Sequence, residues 1–396
     1  MTVLRHGSVV EAISWGSARA RAAGAARPLR PSSVPLPEAL GCRLAGPLRA
    51  LAAVPGVDVS AMDGYAVAGP GPWRLVGRVL AGGAPHAGPL GAGEAVEIAT
   101  GAPVPDGAEA VLPYERAEPA GEWVAGAFEK GRHIRRRGED IPEGTFVLGA
   151  GAVVTPVVLG LAAALGHDTL PVRPRPRVTV LVTGDEVVHE GLPGPGRVRD
   201  AIGPFLPGLV DWAGGRVTGT LRLPDGPEPL RAALAGPSLE AVDDVIVVCG
   251  ASSKGPADHL RAVLDELGAD VLIDGVAVRP GHPQLLARLP GGGLVVGLPG
   301  NPFAALAAAL TLLAPILREL TGTPAAKETS ALAGPVRTHP RDTRLVPVRR
   351  SARGAVPVGH DRPGSLWGAA LAEALAVVPP GWRGEQVELI ELPAGG

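Results

Sequence analysis

Lysine is almost missing from this 396-residue chain: it occurs three times, at Lys130, Lys254 and Lys327, against thirty-four arginines. Abundant Ala, Gly and Pro accompany the arginine, so the skew reads as coding bias and a surface Lys-to-Arg exchange carries little information. The formal net charge of −2 excludes a basic nucleic-acid footprint and an acidic tail. Aromatic residues are scarce, at 6 Trp, 2 Tyr and 4 Phe, so the cores must be built from Ala, Val and Leu. Two cysteines, Cys42 and Cys249, exclude a disulfide framework and a CxxC metal site, and they suit a reducing compartment. The opening MTVLRHGSVVEA lacks an apolar signal core, and no segment reaches the length of a membrane span. The longest apolar run, 303–317, contains Thr311 and Pro315 and reads as a buried helix. These absences point to a soluble cytoplasmic protein that partners neither nucleic acid nor membrane.

What is present is glycine and proline, 57 and 43 residues, roughly a quarter of the chain and at the edge of what signals disorder. The 46% hydrophobic fraction decides for folding, because so apolar a chain can bury enough surface. Its length suits about two to four domains. Ser8 and Glu11 stand in capping-box spacing ahead of an Ala-rich run, which predicts a helix starting near residue 8. From about 41 to 134, short alternating segments between Gly/Pro turns read as a β-rich module. From 176 the pattern becomes apolar strand, glycine loop, helix: RVTVLVTGDE, then DDVIVVCGASSKG before ADHLRAVLDELG, then GGLVVGLPGNP before FAALAAALTLL. That alternation predicts a doubly wound, mostly parallel α/β domain. After about 322, RLVPVRR, GAVPVG and EQVELIEL predict a small C-terminal β-domain.

Open α/β sheets bind ligands at the carboxyl ends of their strands, and three loops qualify. TGDE (183–186) places two carboxylates beside a hydroxyl. GASSKG (250–255) offers small residues whose N–H groups could approach an anion. In LPGNP (298–302), Asn301 fits an N-cap and Pro302 the first helical position, so that helix start would turn its positive end to an anionic ligand. Each has a plainer reading, since glycine loops before helices are common turns and single acidic residues usually cap helices or face water. Pro256 and Ala257 follow Gly255 where a P-loop needs Lys and Ser/Thr, which excludes a P-loop NTPase. Carboxylates and anion cradles in one sheet suggest a phosphorylated ligand held with a hard cation such as Mg²⁺.

The string SAMDGYAV (60–67) resembles the signature of the molybdopterin molybdenumtransferase family, relatives of the gephyrin E domain. Further matches follow in family order: EIATGAPVPDGAEAV (97–111), IRRRGEDIPEG (134–144), TGDE, the glycine–serine loop, VRPGHP (278–283) and LPGNP. The resemblance implies an L-shaped homodimer with four domains per subunit. These are an elongated linker domain (1–40 with 135–175), the β-rich insertion (41–134), the molybdopterin-binding α/β domain (176–322) and a barrel-like C-terminal domain (323–396). It implies an enzyme that takes adenylylated molybdopterin, binds molybdate and Mg²⁺, releases AMP and inserts molybdenum into the pterin dithiolene. A molybdopterin adenylyltransferase would precede it and molybdoenzymes would receive its product.

Carried over by motif, Asp63 and Thr100 would reach the site from the partner subunit. Glu186, Asp225 and Asp258 would serve metal and phosphate chemistry. Gly250, Ser252, Ser253 and the loop of Pro299, Gly300 and Asn301 would hold the nucleotide–pterin phosphates. Arg279 would supply a positive donor to molybdate, and His282 would share that role. The departures are informative. The lysines at both ends of the family's KPGK string are replaced by Arg279 and His282, a fixed charge and a residue that titrates near neutrality. The family's GGVSxGD run loses a glycine at Ala251 and an acidic side chain at Pro256, and its DSN becomes Asp200-Ala201-Ile202. Lys254 either compensates with a cation near the phosphates or faces solvent. Three readings stay open at this point: a working molybdenum-insertion enzyme with a retuned anion site, a pterin-binding carrier without turnover, and another phosphate-ester activity on the same α/β fold. His133, His167 and His259 lack metal-ligand spacing, and Trp212, Trp367 and Trp382 read as packing anchors.

Overall fold

The computed structural model describes residues 12–236, 244–250, 258–323, 327–384 and 386–393. These fall into two compact units, one of Ser32–Val172 and the other of the described parts of Met1–Pro31 and Arg173–Gly396.

In the first unit, the alternating segments form a six-stranded sheet in the order 117–120, 123–126, 73–79, 94–98, 64–68, 110–113. Ala66, Val96, Ile98 and Val111 fill one face of it, with Val67, Trp73 and Leu112 on the other. The unit also holds a three-stranded sheet of 32–35, 169–173 and 43–44 packed on the helix Pro156–Ala164, whose N-cap Thr155 accepts the Val158 amide at 3.2 Å, and two short ladders, 59–60 with 134–135 and 48–49 with 146–148.

The second unit contains the predicted α/β sheet, in the order 216–223, 177–183, 245–249, 294–298, 285–288, 270–274. Its first four strands run parallel and the last two antiparallel. The three inner parallel strands, 177–183, 245–249 and 294–298, are the near-continuous apolar runs expected of strands covered on both faces, whereas the edge strand 216–223 is largely exposed. A second sheet holds 343–351, 374–378, 386–391, 328–331 and 354–357. Strands 276–279 and 13–14 belong to it as well, so it is not confined to 323–396.

Three expectations are corrected here. The N-terminal helix spans Trp15–Gly24, and its cap is Ser14, which accepts the Ser17 amide at 3.2 Å; Ser8 and Glu11 lie outside the described residues. That helix does not join a linker of 1–40 with 135–175. Trp15, Ala18 and Ala22 form an apolar stripe that is buried in the α/β unit's core. Finally, the apolar run extends into one continuous helix, Pro302–Thr321, which by length and hydropathy could cross a membrane; 83% of its most apolar window is buried inside the fold. Its middle, Ala309–Leu313, is a π-helical turn. There Thr311 donates to the Ala307 carbonyl at 2.7 Å and accepts Trp15 Nε1–H at 3.2 Å, while Arg19 Nη1 donates to Leu310 O at 3.1 Å. A π turn loosens the carbonyl ladder, and here the N-terminal helix takes up the loosened groups.

Candidate active site

At the strand ends, backbone geometry brings three loops together. Gly250 ends strand Val245–Cys249 at φ +97°, where a Cβ would lie 2.9 Å from the Thr183 carbonyl oxygen, so only glycine fits. Its N–H donates to Leu298 O at 3.1 Å, and a Cβ on Gly300 would lie 3.7 Å from its Cα. Gly250 therefore pins the TGDE and LPGNP loops to one another and has no amide left for a phosphate. Thr183 Oγ1 donates to the Cys249 carbonyl at 2.9 Å across the same junction. Ser252, Ser253, Lys254 and Pro256 lie outside the described residues.

Asp185, passed over in reading the sequence, forms a reciprocal clasp with Asp225. The Asp185 amide donates to Asp225 Oδ2 at 3.2 Å, and the Asp225 amide donates to Asp185 Oδ1 at 3.3 Å. Glu186 folds back over the chain, since a Cβ on Gly184 would lie 2.8 Å from Glu186 Oε2. Asp258 stands ahead of the helix Leu260–Glu266. Among the described residues, no group of three or more His, Cys, Asp or Glu converges on a metal position, so Glu186, Asp225 and Asp258 do not form one three-ligand cluster. The clasp supplies the reason: it turns Asp225 toward residue 185. Such a set fits a hard cation that keeps its waters and takes further oxygens from substrate phosphates, and does not fit an all-protein cage.

The altered DSN run has a packing explanation. Asp200 Oδ1 accepts the amides of Ile202 and Gly203 at 3.0 and 2.9 Å, and Ile202 enters the hydrophobic core. Asp200 Oδ2 also meets His189 Nδ1 at 3.2 Å, a pair formed by the two-stranded ladder of 187–188 with 198–199, which no spacing rule foretells. Burial, with the Asp200 charge second, pushes the Cys249 thiol well above its ordinary range, which makes it an inert core residue.

A cavity of about 560 Å³ opens on the other side of the LPGNP loop. Pro299 and Asn301 line it, as do Arg279 and His282 of VRPGHP and His339, Arg344 and Asp361 of the C-terminal sheet. Parallel pairing sets Arg279 beside Arg344. Arg279 Nε donates to Asp342 Oδ2 at 2.6 Å, while Arg344 donates through Nη2 to Asp361 and through Nη1 to the Arg337 carbonyl at 2.8 Å. Reading the sequence missed His339, Asp342, Arg344 and Asp361, whose only signal was an arginine-bearing strand. The helix start behind the loop does not offer open amides: Phe303 and Ala304 both donate to the Pro363 carbonyl, at 2.9 and 3.3 Å, and the Asn301 side chain makes no capping bond. The charged lining of the cavity is instead the wall of Arg279, His282, His339, Arg344 and Asp361.

In the β-rich unit, Asp63 and Thr100 are neighbours. The Thr100 amide donates to Asp63 Oδ1 at 2.6 Å, and that bond, with a second from the Thr100 hydroxyl, holds the Asp63 carboxyl below its ordinary range. The motif builds the contact. Buried Ser60 ties its own turn by donating to Met62 O at 2.5 Å, and Gly101 N–H donates to the Ser60 carbonyl at 2.8 Å, which draws the two loops together. Beside them, Tyr114 OH and Arg78 Nε donate to the two oxygens of Glu97, each at 2.7 Å, and Tyr65 packs edge-on against Tyr114 at 5.3 Å. In the GEDI element, Arg135 pairs with Asp140, while Glu139 accepts the Arg136 amide at 2.8 Å.

Residues 13–166 match the family described as the MoeA N-terminal region (domain I and II), and residues 179–319 match that described as a probable molybdopterin binding domain. The chain is 38% identical over 315 residues to molybdopterin molybdenumtransferase 2 of Mycobacterium tuberculosis, covering 75% of this chain and 77% of that one. It is 37% identical over 305 residues to the molybdopterin molybdenumtransferase of Synechococcus elongatus, covering 73% and 75%. Among solved structures, the molybdopterin biosynthesis moea protein from Pyrococcus horikosii superposes with a TM-score of 0.72 at 27% identity, over 98% of this chain and 100% of its own.

Proposed function

The chain belongs to the molybdopterin molybdenumtransferase family, and from that premise we propose that it inserts molybdenum into adenylylated molybdopterin with release of AMP. The observation that carries this reading is the LPGNP loop, which lines the Arg279/His282/Arg344 cavity on one side and packs on Gly250 at the strand ends on the other. Molybdate is a tetrahedral dianion, and a cavity walled by two guanidiniums and two imidazoles supplies the donors it needs. A nucleotide phosphoanhydride suits the carboxylate-bearing strand ends, where Asp185, Glu186 and Asp225 would hold Mg²⁺ together with the substrate's own phosphates. The cation would neutralise charge that develops on the phosphoryl oxygens. The chain's own part is to hold the two anions at fixed separation and to position Asp225 through its clasp with Asp185.

The same reading makes the protein a homodimer in which Asp63 and Thr100 serve the partner subunit's Glu186, and it places the reaction in the cytoplasm, which two buried thiols suit. An adenylyl-transferring enzyme would supply the substrate, and molybdoenzymes would take the product. Incubation with adenylylated molybdopterin, Mg²⁺ and molybdate should release AMP only when molybdate is present, with active cofactor formed in step. Pterin binding without molybdate-dependent AMP release would establish the carrier instead. Mixing Asp63→Ala with Glu186→Ala protein should restore part of the activity, and an inactive mixture after confirmed subunit exchange would refute the shared site.

A further inference from the structure

The cavity's two arginines are not equivalent donors. Arg344 is already committed at both Nη groups, Nη2 to Asp361 and Nη1 to the Arg337 carbonyl, and its side chain is only 20% exposed. Arg279 is 61% exposed and is gripped at Nε, by an Asp342 carboxylate that is itself 14% exposed. A guanidinium held at Nε keeps the edge formed by its two Nη groups, which is the fork that binds an oxyanion. Asp342 is fixed in turn. Its amide donates to His339 Nδ1 at 2.9 Å, and the Arg341 amide reaches the same nitrogen at 3.3 Å. Asp342 Oδ2 also stands 3.3 Å from that nitrogen, so backbone and carboxylate of Asp342 are both held against the His339 ring.

We infer that Asp342 is a positioning residue for the oxyanion site: it holds Arg279 by Nε so that the Nη edge is presented to a tetrahedral dianion. The inference rests on the reading of this cavity as the molybdate site. It also gives the Arg279 replacement a physical meaning. A lysine ammonium would offer the carboxylate and the anion the same single nitrogen, so separating the gripped atom from the binding edge requires arginine at 279.

Calorimetric titration of the full-length protein with molybdate alone tests this. Asp342→Ala should weaken binding about tenfold, as expected for a ligand left unanchored, while Asp342→Asn, which keeps an acceptor for Nε–H, should stay within about threefold of wild type. On an Arg279→Lys background, Asp342→Ala should cost less than about twofold. Equal or tighter binding by Asp342→Ala would show that the carboxylate competes with the anion, and would overturn the inference. An equal loss on both backgrounds would overturn it too, by showing that Asp342 acts through the loop's fold. Wild-type protein that binds no molybdate would overturn the cavity reading itself, and the inference with it.

Discussion

Replacing Gly64 with alanine puts the signature string under direct strain. A Cβ there would lie 2.1 Å from the Leu112 carbonyl oxygen and 2.9 Å from both Leu112 C and Pro113 Cα. All three are backbone atoms of the strand Ala110–Pro113, which pairs Gly64 with Pro113, so no side-chain rotation can relieve the clash. About 1 Å of extra separation must come from moving one strand, and overpacking of that kind costs about 1–3 kcal/mol where side chains can yield. With backbone as the obstacle the cost belongs at the top of that range, about 3 kcal/mol, a large share of a typical domain stability of about 5–15 kcal/mol. Displacement would also reach Asp63, whose carbonyl accepts the Tyr114 amide at 3.2 Å just beyond the clash. Gly46, in the same unit, is the control: no atom lies within 4 Å of its Cβ position and its φ is not positive, so Gly46→Ala should be neutral or stabilise by about 0.4–1 kcal/mol. Thermal unfolding and AMP release measured side by side should show Gly64→Ala unfolding several degrees lower with reduced turnover, and Gly46→Ala unfolding at or slightly above the wild-type temperature with turnover unchanged. A Gly64→Ala protein that matches wild type would refute the steric argument.

Tyr114 offers a spectroscopic check, because burial, reinforced by its bond to Glu97, pushes its phenol up to about 12. The stabilisation that follows is fully present below the ordinary phenol value of about 10 and is lost as pH rises through about 12. In an alkaline absorbance titration, Tyr114→Phe should remove a tyrosine step centred near pH 12, and persistence of that step would contradict the assignment. Thr100→Ala removes the hydroxyl but not the amide that holds the Asp63 carboxyl low, so Asp63 should titrate at higher pH, part of the way back to its ordinary range. Any stability this pair contributes is present above the ordinary carboxylate range and fades as pH falls through the lowered value, and an unmoved carboxyl resonance would remove Thr100 from the contact. His282→Lys places a permanent cation on the cavity wall, so it should bind molybdate more tightly than wild type at pH 8. Equal affinity of the two proteins would show that His282 does not meet the anion.

What the sequence made legible was local. An apolar run ending in glycine is a buried strand followed by a loop, and this rule placed TGDE, Gly250 and LPGNP at adjoining strand ends because parallel sheets leave those ends few arrangements. The Asp63–Thr100 contact could be reached only by resemblance, since pairing of strands 64–68 and 94–98 creates it. The cation wall was hidden for the same reason. Arg279 and Asp342 are 63 positions apart and meet because strand 276–279 leaves the region of the α/β sheet to pair with 343–351. Ser8 with Glu11 and Ser14 with Ser17 are both plausible helix starts in one dimension. Burial of Trp15 under Thr311 shows where the apolar stripe of this helix begins.

The helix Pro302–Thr321 links these features. It is held at its start by the Pro363 carbonyl and at its π turn by Trp15 and Arg19. Nearly every side chain between these points is buried, so the helix cannot slide without opening the core of the whole unit. The LPGNP loop leads into this fixed helix with Pro299 and Asn301 lining the Arg279/His282 cavity and Gly300 against Gly250. An enzyme that must bring a small dianion to a phosphorylated substrate needs two sites at a fixed distance, because misplacement by about 1 Å costs orders of magnitude in rate. Carrying both sites on one loop, anchored to the most deeply buried helix of the unit, meets that need with few polar contacts.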